Sequence, residues 1–182
     1  VVGDNIEEIG AGAFTGISAL EKITLPFVGS TVNAYNDKKS FGYIFGTTSA
    51  DGLTSCTQTY NEGTSSSASY YIPSGLKTVV ITGSNSYSSE TKYFEVGTDD
   101  DGNTTYTPTE ETTGENIISI DEDTSKYSVP AYAFYGCTTI ESVSLTGSLT
   151  AIEDYTFYGC TSLKSYSFAD SITKVGANAF NG

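Results

Sequence analysis

Apolar residues in the last third of the chain recur at a fixed interval. Phe134, Phe157 and Phe180 lie 23 residues apart, and a glycine follows each of them two positions later. A period in this range, held by apolar residues and glycines together, is typical of proteins built from stacked repeats. We therefore predict a solenoid. The same interval relates Gly136, Gly159 and Gly182; Cys137 and Cys160; Ile140 and Leu163; Val143 and Tyr166; Leu145 and Phe168; Leu149 and Ile172; and Ile152 and Val175.

Each repeat combines a short strand with a tight turn. The runs 20–25, 76–81, 140–145 and 163–168 end in two apolar residues that lie two positions apart, which is the period of a strand. The Ala/Thr-Phe-x-Gly piece is too short for a separate helix and predicts a turn or a 3₁₀ turn that points the phenylalanine inward. The pattern therefore indicates a mainly β fold with short 3₁₀ or turn segments.

The first 25 residues fit the same frame, so we expect them to form one more coil. We also expect the chain to be a piece of a longer protein, because it starts inside one repeat and stops inside another. In this alignment Ile6, Ile9, Ala13, Phe14, Gly16, Leu20, Ile23 and Leu25 take the places of Leu149, Ile152, Thr156, Phe157, Gly159, Leu163, Tyr166 and Phe168.

Two segments that interrupt the repeat predict insertions, at residues 27–75 and 83–126, within a single domain spanning residues 1–182. In the first, the run Phe41-Gly-Tyr-Ile-Phe-Gly is suited to replace the phenylalanine turn of a repeat, and the Ser/Thr/Gly-rich stretch 47–71 indicates a surface loop or hairpin. In the second, residues 92–96 and 104–107 flank Asp-Asp-Asp-Gly-Asn, a strong hairpin signal. The run Ile117–Ile120 is a candidate for a further strand.

The charge and the missing residue types exclude several function classes. The chain has 22 acidic residues and 8 lysines, a formal net charge of −14, and neither histidine nor arginine. Strong negative charge without guanidinium groups argues against binding nucleic acid or an anionic membrane. Without histidine, the commonest general base and metal ligand are both missing, so we expect no enzyme and no cofactor. No apolar run approaches the roughly 20 residues of a membrane-spanning helix.

The repeated element resembles the BspA-like, or treponemal-type, leucine-rich repeat. Ile152, Phe157, Gly159, Cys160, Leu163, Tyr166 and Phe168 match one full motif. The resemblance covers residues 1–26, 76–82 and 129–182, whereas the acidic second insertion has no counterpart in it. It implies a non-enzymatic bacterial cell-surface or secreted protein with an adhesive or binding role. A host or bacterial surface protein or a glycan would then be the partner, and the alternative is a spacer repeat in a surface stalk.

The concave face of the predicted sheet is the first candidate binding surface, since solenoids commonly bind there. It would be a polar strip of mixed charge, with few of the large anchors of a tight interface. A solvated face would look the same. The candidate residues are Glu21, Lys22, Thr24, Lys77, Thr78, Glu141, Ser142, Ser144, Lys164, Ser165 and Ser167.

The acidic insertion contains a partial calcium-loop pattern. Asp99, Asp101, Asn103 and Glu110 fall at four of the ligand spacings of such a loop. However, the glycine is fourth where the loop needs it sixth, and no helices flank the segment. A solvated acidic hairpin tip is therefore our preferred interpretation. Acids this exposed also lack the burial that would separate their pKa values for catalysis.

Tyrosines and cysteines leave two further alternatives open. The insertions hold Tyr35, Tyr43, Tyr60, Tyr70, Tyr71, Tyr87, Tyr93 and Tyr106. They could form a carbohydrate- or protein-binding patch, but we prefer the interpretation that they form the small cores of inserted hairpins. Cys137 and Cys160 occupy equivalent positions on adjacent coils about 5 Å apart, which allows a disulfide but favours a ladder of buried thiols. Cys56 has no visible partner.

Overall fold

In the computed structural model, residues 1–61, 66–83, 90–98, 104–109, 117–122 and 127–182 are described. The chain divides into two units, one of residues 1–85 and 126–182 and one of residues 86–125. The second unit coincides closely with the second predicted insertion.

The regular elements are mostly short strands. In chain order the strands are β1 Lys22–Leu25, β2 Leu53–Thr59, β3 Ser67–Pro73, β4 Thr78–Ile81, β5 Glu90–Thr98, β6 Thr104–Thr109, β7 Ile117–Glu122, β8 Tyr127–Val129, β9 Ser142–Leu145, β10 Leu149–Ile152, β11 Ser165–Ser167 and β12 Lys174–Val175. Two 3₁₀ helices, η1 Asn36–Lys39 and η2 Phe41–Ile44, lie in the first insertion. The phenylalanine turns around Phe134 and Phe157 are plain turns, so the alternative of a 3₁₀ turn there is not realised.

Successive repeats pair strand on strand in the first unit. A four-stranded parallel sheet runs in the order β1-β4-β9-β11. Its inward positions Ile23, Val79 and Val143 are buried and lie side by side. A parallel register that aligns identical positions buries one apolar column, because side chains alternate between the two faces of a strand. The pairing therefore follows directly from the repeated apolar pattern.

A second parallel sheet in this unit joins three of the repeats. It runs in the order β12-β10-β8 and places Val129, Ile152 and Val175 in register. Val129 and Ile152 are fully buried, whereas Val175 is 54% exposed. The buried positions of both small sheets thus contribute to the core of the unit.

The phenylalanine turns stack into a continuous ladder. Ring centroids of Phe134 and Phe157 are 4.9 Å apart, and those of Phe157 and Phe180 are 5.1 Å apart. In the first insertion, one turn contributes two rings. The ring centroid of Phe45 lies 6.0 Å from that of Phe14, and the ring centroid of Phe41 lies 4.8 Å from that of Phe134. The two rings of this segment thus lie between those of Phe14 and Phe134.

Backbone hydrogen bonds join the turn at residues 41–45, called the replaced turn below, to the repeats on both sides. The Phe14 N–H donates to the carbonyl of Ile44, and the Phe41 N–H donates to the carbonyl of Ala133, both at 2.8 Å. Both contacts are possible because the two ends of η2 face different repeats, with Phe41 beside Ala133 and Ile44 beside Phe14. The ladder is therefore uninterrupted although the spacing of 23 residues is lost.

The first insertion also contributes an antiparallel hairpin of β2 and β3, which confirms the hairpin alternative for that stretch. Its buried Gln58 accepts a hydrogen bond from the Gly42 N–H at 2.6 Å and donates to the Ala133 carbonyl at 2.8 Å. One amide side chain therefore fastens the hairpin to both the replaced turn and the next repeat.

The second unit is a three-stranded antiparallel sheet in the order β6-β5-β7. The predicted hairpin of β5 and β6 is confirmed, with Thr98 paired to Thr104 across the tip. The predicted further strand at Ile117–Ile120 is confirmed as β7, which pairs with β5.

The first repeat departs from the frame at Ile6. The sequence predicts it to be buried like Leu149, but its side chain is 40% exposed and the segment around it forms no strand. Leu149 is fully buried and lies in β10, which has a paired strand on each side. Ile6 lacks such a pairing, so the prediction of a buried Ile6 is wrong.

Candidate functional site

The predicted polar strip is the outward face of the sheet β1-β4-β9-β11. Register pairs place Lys22, Thr78, Ser142 and Ser165 in one row, and Thr24, Val80, Ser144 and Ser167 in a second. A third row, just before the strands, contains Glu21, Lys77, Glu141 and Lys164, which are joined in that order by backbone hydrogen bonds. The structure therefore places all eleven sequence-predicted residues on, or directly before, the four strands of one sheet.

Charges in the third row alternate in sign from one repeat to the next. Glu141 lies between two lysines, with carboxylate oxygens 3.3 Å from Lys77 Nζ and 3.1 Å from Lys164 Nζ. Hydrogen bonds from Lys164 and Lys77 lower the pKa of Glu141 below its ordinary value. All three side chains remain substantially exposed, so solvent screens their attraction. These ion pairs therefore add little to the stability of the fold, and their main effect is to give the sheet face a fixed pattern of charges.

The remaining rows are short and hydroxyl-rich. The Ser167 hydroxyl donates to the Ser144 hydroxyl at 2.9 Å, so part of this surface is satisfied internally. Val80 is the one apolar member of the two strand rows. A partner would meet rows of hydroxyl groups on strands that pair without a shift, with few large side chains of the kind that anchor a tight interface.

The first insertion builds a separate small cleft of about 290 Å³ against the first repeat. Its walls include Thr15, Asp37, Tyr43, Thr47 and Tyr70. The lining residues thus include an acidic residue, threonines and tyrosines, which are residue types suited to a small polar ligand. Sequence reasoning placed Tyr43 and Tyr70 in a tyrosine-rich insertion but did not bring them together with Asp37.

The insertion tyrosines whose side chains are described differ in burial: Tyr70 is buried, Tyr35 is exposed, and Tyr43, Tyr60 and Tyr71 are intermediate. Tyr70 is 3% exposed, and burial together with the nearby Asp37 charge raises its pKa to about 12. Its hydroxyl donates to the Asp37 carbonyl at 3.3 Å. Tyr35, by contrast, is 68% exposed. The preferred hairpin-core interpretation therefore fits Tyr70 and fails for Tyr35.

A second aromatic cluster lies in the repeat turns, apart from the tyrosines of the two insertions. Tyr132 stacks on Tyr155 and Tyr135 on Tyr158, both with centroids 5.0 Å apart. Lys39 Nζ lies 5.6 Å from the centroid of Tyr132. The interval of 23 residues was the signal that could have found these pairs. Because each ring covers a face of its neighbour, the cluster stabilises the turns more than it offers a stacking platform.

The three cysteines are free and buried. Cys160 Sγ donates to the Phe134 carbonyl at 3.1 Å, and burial raises the pKa of Cys160 to about 12. Cys56 Sγ lies 3.5 Å from Cys137 Sγ. The statement that Cys56 has no partner is therefore wrong, because β2 packs on the turn that carries Cys137.

The calcium candidates Asp99, Asp101, Asn103 and Glu110 lie outside the described residues. Elsewhere in the chain, the described residues contain no cluster of three or more acidic or cysteine side chains that could hold a metal ion. No helix in the described part of the chain is long and apolar enough to cross a membrane.

A family model for the BspA type leucine rich repeat region matches the chain in six copies. The match covers residues 1–82 and 112–182, which is well over half of the sequence. No curated protein and no solved structure matches the chain significantly. The matched residues include the repeats whose strands and phenylalanine turns stack in the first unit, and this chain belongs to the BspA-type leucine-rich repeat family.

Proposed function

We propose that this protein is a non-enzymatic binding or adhesion module of a cell-surface or secreted bacterial protein. Repeats of this family are generally non-enzymatic and are often associated with surfaces and adhesion. The partner would be a protein or a glycan outside the cell. Within this proposal the chain is a solenoid whose sheet face makes the contact, and the first insertion provides a second surface.

The observation that carries this proposal is the alignment of outward side chains on four successive strands. Lys22, Thr78, Ser142 and Ser165 share one row because the strands pair in parallel without a shift. Such an array offers hydrogen-bonding groups at a spacing of about 5 Å along the stack. A rigid array needs little ordering on binding, and this favours recognition of an extended partner surface.

The alternative is a spacer repeat with no ligand of its own. It is favoured by the internal pairing of the same face, where Glu141 already contacts Lys77 and Lys164. Ser144 and Ser167 are likewise bonded to each other. A face whose groups are satisfied within the protein gains less from a partner, so the two functions need a direct test.

The test compares two tryptophan substitutions on protein and glycan arrays. Ser144→Trp places a bulky ring in the middle of the sheet face, and we expect it to lower affinity by at least about tenfold. Thr150→Trp, on β10 of the other sheet, is the matched control and should leave binding unchanged. Circular dichroism and melting curves of both variants would check that each still folds.

The other outcomes identify the surface or reject the proposal. If Ser144→Trp still binds but Asp37→Asn or Tyr43→Ala abolishes binding, the insertion cleft is the contact. If the unmodified chain binds nothing on either array, the spacer function stands. Catalytic turnover of an array ligand would contradict both.

A further inference from the structure

We propose that Cys56 and Cys137 form an oxidation site that closes to a disulfide between the first insertion and the repeat containing β9. Cys56 lies on β2 of the inserted hairpin, and Cys137 lies in the turn that precedes β9. The two residues are 81 positions apart in sequence, and their sulfur atoms are 3.5 Å apart. This pairing is independent of whether the sheet face binds a ligand.

The backbones around the two cysteines are already in direct contact. Gly136 has a φ of +69°, and a β-carbon added there would lie 3.0 Å from the Thr57 carbonyl oxygen. Cys56 Sγ also lies 3.6 Å from the Gly136 carbonyl. No side chain separates β2 from this turn, so a disulfide of about 2.05 Å needs side-chain rotation and a small approach of the hairpin.

Cys160 is poorly placed to compete for Cys137. It occupies the equivalent position one repeat further on, and its sulfur donates to the Phe134 carbonyl at 3.1 Å. Equivalent side chains on stacked repeats point in the same direction, whereas a disulfide needs β-carbons that face each other. Cys56 approaches Cys137 from another element, which meets that need.

The reaction needs a disulfide oxidant, for which oxidised glutathione serves. The Cys56 thiol, which is 4% exposed compared with 0% for Cys137, loses its proton and attacks one glutathione sulfur, releasing one reduced glutathione. Cys137 then loses its proton and attacks the Cys56 sulfur of the mixed disulfide, releasing the second. The two cysteines give up two electrons and the oxidant is reduced to two thiols.

Burial sets when this reaction can occur. It raises the pKa of Cys137 well above its ordinary value, which keeps that thiol protonated and slow to react in the folded protein. Oxidation should therefore be efficient while the chain folds, or when the hairpin opens transiently. In an oxidising environment the bond would then fix the hairpin of β2 and β3 to the repeats.

The test is to refold the purified chain with mixed oxidised and reduced glutathione and map its thiols. We expect a mass loss of about 2 Da and a single free thiol at Cys160. Cleavage after lysine and glutamate separates Cys137 from Cys160 at Glu141 and Glu153, so a linked peptide pair identifies its cysteines. We also expect the melting temperature to rise on the order of 5–10 °C over the reduced protein.

Three serine variants make the assignment specific. Cys160→Ser should keep the mass loss and the gain in melting temperature, whereas Cys56→Ser and Cys137→Ser should lose both. A link between Cys137 and Cys160, or three free thiols after refolding, would overturn the proposal. The peptide map of the unmodified chain decides this even if a serine variant does not fold.

Discussion

At the scale of single residues, the phenylalanine of each turn carries the packing between repeats. Phe157 is 2% exposed and stacks on Phe134 on one side and Phe180 on the other. Phe180 is half-buried and has one ladder neighbour, together with Tyr166 and Phe168. The two positions share a residue type and a turn but differ in burial.

Replacing Phe157 by alanine should therefore destabilise the protein strongly. We expect the free energy of unfolding to fall by about 3 to 5 kcal/mol, through lost apolar burial and the cavity left between two rings. Phe180→Ala is the matched comparison and should have a clearly smaller effect. Urea unfolding followed by circular dichroism measures both. A loss below about 1 kcal/mol for Phe157→Ala would mean that the ladder is not core.

At the scale of elements, the first insertion is secured by one polar side chain. Gln58 joins β2 to η2 through the Gly42 N–H, and to the next repeat through the Ala133 carbonyl. The Phe41 N–H also reaches the Ala133 carbonyl, so that acceptor has a second donor. The Gly42 N–H therefore relies on Gln58 as its acceptor more than the Ala133 carbonyl relies on Gln58 as its donor.

Gln58→Leu should consequently cost about 1 to 3 kcal/mol, because it leaves the buried Gly42 N–H without this acceptor. The neighbouring Thr57 is exposed and bonds only across the hairpin surface to Ser69 in the described contacts. Thr57→Val is thus a control on the same strand, with an expected change within about 0.5 kcal/mol. Hydrogen exchange at Gly42 would report the lost bond directly. Equal effects of the two substitutions would refute the role given to Gln58.

At the scale of the whole molecule, buried tyrosine hydroxyl and cysteine thiol groups make the free energy of unfolding fall at alkaline pH. Burial raises the pKa of Tyr127, whose hydroxyl accepts the Val28 N–H at 2.9 Å, and it raises the pKa of Cys160 to about 12. In the unfolded chain these groups ionise near their ordinary values of 10.0 and 9.0. Above that range the unfolded state has lost protons that the folded state keeps, so rising pH favours unfolding.

We expect stability to be fully present below about pH 8 and to fall as pH rises, with each group adding about 1.4 kcal/mol per pH unit once the pH exceeds its ordinary pKa. Urea unfolding at a series of pH values between about 8 and 11 measures this slope. Tyr127→Phe should make the slope shallower while lowering stability at neutral pH, since the Val28 N–H loses this acceptor. A slope unchanged by Tyr127→Phe would contradict the assignment.

The sequence by itself determined the repeating part of this protein. A 23-residue interval fixes which side chains face inward, and parallel pairing of identical positions then follows, because only that register keeps one apolar column buried. The same interval also set which residues form the sheet face, because these residues alternate with the buried positions along each strand or come directly before it. Local turn chemistry was enough to find the hairpin of β5 and β6 and the replaced turn at Phe41.

Only the tertiary structure decided the contacts that cross from one element to another. The approach of Cys56 to Cys137, the two bonds of Gln58 and the cleft beside Asp37 join residues far apart in sequence. No local period encodes such contacts, since they depend on where an inserted hairpin packs against the repeats. Ile6 is the opposite case: it occupies an apolar position of the 23-residue repeat, but it stays exposed because no paired strand covers it.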